Sequence, residues 1–238
     1  MSLLELHGVS KHFGGLVANQ DVSFSVDAAQ IVGLIGPNGA GKTTTFNCVA
    51  GFYAPSAGRI TLDGETISGL APEACARAGV GRTFQVARTF TSMTAGENVL
   101  AAALLHHRRV AAARIEALRW LAFVGLERLA ERPAASLTIS EQRRLAVARA
   151  LAIEPRVLLM DEVMAGLNPR EVREMVEVVL RIRGHGIACL VVEHVLEGIM
   201  PIADRIVVLD RGAKIAEGTP AEVSRDPAVI SAYLGDEP

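Results

Sequence analysis

QIVGLIGPNGAGKTTTFNCVAG, residues 30–51, decides the fold of this 238-residue chain. Its first part, QIVGLIG, has no polar face, the pattern of a strand covered on both sides as in parallel sheets. KTTTFNCVA then reads as a helix that Gly51 stops. Between them residues 36–43, GPNGAGKT, satisfy G-x-x-x-x-G-K-[ST] in the strand-then-helix setting that this pattern requires. Gly36, Gly39 and Gly41 let the backbone wrap so that its N–H groups and the helix N-terminus face phosphate oxygens. Lys42 can reach the terminal phosphates of a nucleoside triphosphate, and the Thr43 hydroxyl can hold Mg²⁺. Pro37, Asn38, Ala40 and Thr44 complete the stretch expected to line that site.

Working outward, SLLELHG, DVSFSV and GRITLDG read as strands in the N-terminal third, and RVLLMDE, IACLVVE and RIVVLD as strands in the C-terminal third. Asn168 and Pro169 form a cap and first-turn proline for a helix whose Val172, Met175, Val176, Val179 and Ile182 share one face, with Gly184 past its end. Strands alternating with helices indicate a mostly parallel α/β sheet. From about Thr94 the chain turns to Ala, Leu, Arg and Glu, through ENVLAAALLHHRRVAAARIEALRWLAFVGLERLAE, which predicts an inserted helical lobe. Trp120 and Phe123, three apart, are expected in that lobe's core, and His106 to Arg109 on a solvated face.

Lys+Arg 24 against Asp+Glu 26 gives a net charge of -2, without the broad basic field of a nucleic-acid binder. No stretch of eighteen apolar residues occurs, so no membrane span is expected, and MSLLELHGVSKHF lacks the apolar run of a signal peptide. Cys48, Cys75 and Cys189 stand at no metal spacing and read as buried cytosolic thiols.

RVLLMDE closes an apolar strand on two carboxylates. Asp161 is thereby placed at a strand's carboxyl end, where open α/β sheets bind ligands, and would serve Mg²⁺ through water. Glu162 beside it can poise an attacking water as general base; the plain alternative is a strand-end charge.

At this point the chain resembles the ATP-binding cassette of ABC transporters over essentially its whole length. GPNGAGKT, GRTFQ, SLTISEQRRLAVARALA, VLLMDE and VVEH carry the likeness in order and spacing. More narrowly, KHFGGLVA, TTTFNCVAGFYAPSAGRI, AGLNP and AVISAYLG look like the ATPase subunits of branched-chain amino-acid and amide uptake systems. The resemblance implies a P-loop NTPase core with a mostly parallel sheet, N-terminal antiparallel strands and an inserted helical lobe. It divides one domain, 1–238, into a nucleotide-binding core (1–85 and 154–238) and a helical signature lobe (86–153). It implies ATP and Mg²⁺ as cofactors, Phe13 as the adenine-stacking aromatic, Gln85 as a sensor of Mg²⁺ and the γ-phosphate, and His194 as a switch holding the γ-phosphate and Glu162. The plain alternatives are a core aromatic for Phe13 and, read without the family, a structural histidine for His194.

Two segments depart from the family pattern. The signature L-S-G-G-Q stands here as Leu137, Thr138, Ile139, Ser140 and Glu141. In the family this segment caps the γ-phosphate bound by the opposite subunit, so Thr138, Ser140 and Glu141 are carried over as nucleotide-contacting positions. Thr138 keeps a hydroxyl, whereas Ser140 is expected to add a side chain where backbone should approach closely. In DEVMAGLNP, Val163 and Met164 replace the usual proline and small residue.

The resemblance further implies transmembrane permease subunits and a second ABC ATPase subunit as partners, a paralogue or an identical copy. It implies a solute-binding protein acting indirectly, no nucleic acid, and a peripheral place on the cytoplasmic face of the membrane. A lipid or lipopolysaccharide exporter's ATPase is the alternative within the family, and a soluble ABC ATPase acting on nucleic acid or ribosomes the alternative outside transport.

Overall fold

The computed structural model describes residues 2–84 and 89–234. β1 (Ser2–Phe13) and β2 (Leu16–Asp27) form a long hairpin. Its two-residue turn is Gly14-Gly15, with Gly14 in the left-handed region (φ 57°) that a tight hairpin turn demands. β3 (Ile31–Ile35) leads through the glycine loop into α1 (Lys42–Val49). β4 (Ala57–Leu62) and β5 (Glu65–Thr66) return to the hairpin, giving an antiparallel sheet in the order β2-β1-β4-β5. α2 (Pro72–Ala78) and β6 (Val80–Arg82) follow.

The helices of the inserted segment come next: α3 (Ala95–Ala103), α4 (Val110–Phe123) and α5 (Ile139–Leu151). Thr94 and Glu97 make a reciprocal capping box at the start of α3. Trp120 and Phe123 pack edge to face at 5.4 Å, as their spacing suggests, and Phe123 also meets His185. Then come β7 (Val157–Asp161), α6 (Pro169–Gly184), β8 (Ala188–Val192), α7 (Leu196–Ile199), β9 (Arg205–Asp210), β10 (Ala213–Gly218), α8 (Pro220–Val223) and α9 (Pro227–Leu234). The expected cap of α6 is present, Asn168 accepting from the N–H groups of Arg170 and Glu171. The helix runs through Gly184 rather than ending before it.

A six-stranded sheet in the order β10-β9-β3-β8-β7-β6 forms the middle layer; it is parallel except for β10, the antiparallel edge. The strands between its two edges alternate strictly. Ile31, Ile35, Leu158, Met160, Cys189 and Val191 enter a core shared with α6 and the inserted helices. Val32, Leu34, Val157, Leu159, Leu190 and Val192 enter a second core with α1 and the antiparallel sheet. That two-sided burial explains why these strands lack a polar face. The three cysteines are buried thiols, and burial pushes Cys189 up to about 12. Among the described residues no helix is long and apolar enough to cross a membrane.

Candidate functional site

The carboxyl ends of β3, β8 and β7, neighbours in the sheet, deliver the site. β3 ends in the glycine loop, β7 in Asp161 and Glu162, and β8 in Glu193 and His194. The loop's shape depends on glycine: a Cβ on Gly36 would press into the Leu209 carbonyl, and one on Gly41 into the Asn19 amide. Asn19, fully buried on β2, donates to Gly41 O and Thr45 Oγ1 at 3.2 Å each, and so fastens the hairpin to the loop's exit. At Gly39 (φ 80°) no atom lies within 4 Å of a would-be Cβ, so the loop's concave side is open.

That side faces a cleft of about 370 Å³ bordered by residues 38–44, Phe13, Glu162 and His194. Lys42 is only 6% exposed and donates to Gly36 O (2.7 Å) and Pro37 O (2.8 Å), which pins the ammonium within the loop. Burial lowers its pKa, while the nearby Glu162 and Asp161 charges raise it. Phe13 ends β1 at the cleft's rim, with Tyr53 edge-on at 5.1 Å and Lys11 Nζ 5.1 Å from its ring. Leu16 and Val17, across the Gly14-Gly15 turn, expose apolar side chains to the same cleft. The GG dipeptide between alternating residues was the signal that could have placed them there.

Asp161 is buried. Burial raises its pKa, partly offset by the Arg82 guanidinium at 3.4 Å. Glu162 stands at φ 50° and donates its N–H to Val192 O, which ties the ends of β7 and β8 together. Its Oε1 meets His194 Nε2 at 3.0 Å. Carboxylate and imidazole can therefore share a proton and orient each other. Gln85 lies outside the described residues.

The structure revises the expectation for Ser140 and places the other departures. Ser140 is 5% exposed, because the second helical position of α5 faces inward. The residue that adds bulk outside is Ile139, 64% exposed. Thr138 caps α5 reciprocally with Glu141: Thr138 N–H donates to Glu141 Oε2 (2.8 Å), and Glu141 N–H to Thr138 Oγ1 (3.3 Å). Val163 and Met164 are core residues, and Met164 N–H donates to the buried Glu193 Oε1 at 2.8 Å. Sequence reasoning passed over Glu193, because one acidic residue after an apolar strand carries no distinctive pattern.

The donor set fits a magnesium nucleotide: a glycine cradle open to the cleft, a lysine held within it, a helix-start threonine on the cleft, and a buried strand-end carboxylate close enough to Lys42 to act on its charge. Among the described residues no group of three or more His, Cys, Asp or Glu could hold a metal alone. Mg²⁺ keeps waters and takes substrate phosphates beside one or two protein ligands.

A mostly parallel sheet with a phosphate-binding loop, a strand-end Asp-Glu pair and a histidine on the Glu defines a P-loop ATPase of the cassette type. The chain belongs to the ABC transporter family, whose model matches residues 19–165. It is accordingly an ATPase that uses ATP with Mg²⁺ and serves as a transporter's ATP-binding subunit. More particularly, a model described as branched-chain amino acid ATP-binding cassette transporter matches residues 213–238. The high-affinity branched-chain amino acid transport ATP-binding protein BraF of Pseudomonas aeruginosa is 44% identical over 98% of both chains. LivG of Escherichia coli, described in the same words, is 42% identical over 98% of both. The lipopolysaccharide export system ATP-binding protein LptB of Escherichia coli is 34% identical over 100% of this chain and 99% of its own. A crystal structure of the ADP conformation of an ATP-binding cassette of an ABC transporter superposes with a TM-score of 0.90, at 29% identity, over 99% of this chain and all of that one.

Proposed function

We propose that the chain powers uptake of branched-chain amino acids or related amides. The observation that carries this reading is the 44% identity to BraF along nearly the whole of both chains, against 34% to the lipopolysaccharide exporter's subunit. The permease subunits and a second cassette are its direct partners, the solute-binding protein an indirect one, and the cytoplasmic membrane face its place of work. Residues 1–85 and 154–238 form the nucleotide-binding core, and 86–153 the lobe that meets the permease.

Bound Mg²⁺·ATP supplies the γ-phosphoryl electrophile and the cation that neutralises its phosphates. Within this chain Lys42 and the N–H groups of residues 39–44 would hold phosphate oxygens, and Thr43 and Asp161 would hold the cation. Gln85 reports on that cation and the γ-phosphate. Phe13 stacks on the adenine. Glu162 would take a proton from the water that attacks the γ-phosphorus as ADP leaves, and His194, 3.0 Å away, fixes the carboxylate. Thr138, Ser140 and Glu141 belong to the signature that faces the opposite subunit's nucleotide. The second cassette is a paralogue, so that this chain's intact loop pairs with the partner's signature.

The test is reconstitution with the permease pair and the cognate solute-binding protein in proteoliposomes. ATP-dependent accumulation of leucine or a short-chain amide is expected. Lipid or lipopolysaccharide extraction by the complex that co-purifies with this chain, in place of accumulation, would replace the uptake reading with the export one.

A further inference from the structure

Arg82 ends β6, three residues ahead of Gln85, and nothing above gives it a task. Its Nη1 donates to Asn47 Oδ1 on α1 at 2.6 Å, and its Nη2 to Asp161 Oδ2 at 3.4 Å. The guanidinium carbon lies 5.3 Å from the Phe52 ring centre and 5.0 Å from that of Phe84, and the two rings stand edge to face at 5.9 Å. The next residue holds the same strand end by its backbone: Asp161 N–H donates to Thr83 Oγ1 at 3.2 Å, and Thr83 N–H to Leu159 O at 2.9 Å. Asp161 is thus gripped twice by consecutive residues, main chain by Thr83 and carboxylate by Arg82.

Only arginine suits this place. Its planar fork serves two acceptors at once, its flat faces lie against aromatic rings, and it stays charged when buried. The helix it touches through Asn47 is the one that begins at Lys42 and Thr43. One guanidinium therefore links the two elements that carry Thr43 and Asp161.

We propose that Arg82 is a positioning residue for the metal site: it fixes one oxygen of Asp161, leaving the other for the cation's water, and keeps α1 in register with β7. This rests on the reading of Asp161 as the magnesium carboxylate. A guanidinium beside a carboxylate also repels a cation, so the proposal commits to orientation outweighing repulsion. Partners of this kind change metal affinity by about 10-fold or more when removed.

The experiment titrates Mn²⁺, read by its electron paramagnetic resonance signal, into the full chain saturated with a non-hydrolysable ATP analogue. Binding of a fluorescent ATP analogue in EDTA is measured alongside. Arg82→Gln is expected to weaken Mn²⁺ by about 10-fold, as loss of an outer-shell partner does, with metal-free nucleotide affinity within about twofold. Asn47→Ala loosens Arg82 from a helix position where alanine is well tolerated, so it decides the matter should Arg82→Gln not fold; about threefold weaker Mn²⁺ is expected. Parent-like or tighter Mn²⁺ binding in the folded variants overturns the proposal. Asp161→Asn separates the two levels: if it keeps the parent's Mn²⁺ affinity, the reading of Asp161 itself fails.

Discussion

His194 Nε2 lies 3.0 Å from Glu162 Oε1, and the two residues reach one another from the ends of adjacent parallel strands. Any shear between β7 and β8 would break that contact, although the Glu162 N–H to Val192 O bond resists it. Both residues stand just past their strand ends, so the pairing of β7 with β8 sets the spacing of carboxylate and imidazole.

Glu162→Gln preserves shape and hydrogen bonding but cannot accept a proton. ATP hydrolysis is expected to fall by about 10² or more, while nucleotide-bound dimers accumulate on a sizing column. In the assembled transporter the equivalent change in the second cassette should cost less. If that change alone abolishes turnover and this one does not, the dominant site is the partner's.

Lys42→Ala removes the cation at the loop's mouth and leaves the carbonyls of Gly36 and Pro37 without their donor. Calorimetry is expected to show ATP binding weaker by about 10-fold or more, consistent with loss of a charge-assisted contact. The thermal midpoint should drop by only a few degrees, roughly what 1–2 kcal/mol removes from a chain of this size. Undiminished ATP affinity would remove Lys42 from the site.

Glu193 is 1% exposed, and burial pushes its pKa from 4.5 up to about 7, helped by the nearby Glu162 and Asp161 charges and opposed by the Met164 N–H and Arg143. An acid with a higher pKa folded than unfolded holds more protons when folded, so its contribution to stability is lost as pH rises from about 4.5 to about 7. Glu193→Gln keeps an oxygen for Met164 N–H and carries no charge. Its stability should exceed the parent's above pH 7, by on the order of 3 kcal/mol, and the difference should shrink towards pH 5. Parallel stability curves across this range would show that Glu193 does not titrate there.

Ser140→Gly restores the family's glycine at a position whose side chain points inward. It is expected to cost about 1 kcal/mol of stability, glycine's ordinary penalty in a helix, and to leave ATPase activity within about twofold. Ile139→Gly acts on the exposed side and is expected to change nucleotide-driven dimer formation instead. Rate enhancement from Ser140→Gly with none from Ile139→Gly would reverse this assignment.

The glycine loop, Asp161 and Glu162 were legible because a contiguous pattern and an apolar strand end carry them. The alternation of the middle strands was legible only as missing polar faces, since a strand buried twice shows no period. β6 and β10 escaped notice: VGR is too short to show a period, and AKIAEG, an edge strand, is barely apolar. Ser140's direction could not be read from the signature, because the turn at which α5 starts decides which of two neighbours faces inward. Arg82 was hidden for another reason. Its partners Asn47 and Asp161 stand 35 and 79 residues away, and only the folded sheet brings them together.

The central sheet is a wall common to both apolar cores, with successive residues of its inner strands facing opposite sides. Neither core can open without stripping one face from strands that the other still holds. Partial melting of the parallel strands is thereby penalised, and the two halves should lose structure in one cooperative step. The amides of β3, β7 and β8 should exchange with solvent only through whole-molecule opening, while those of the edge strand β10 exchange through smaller excursions.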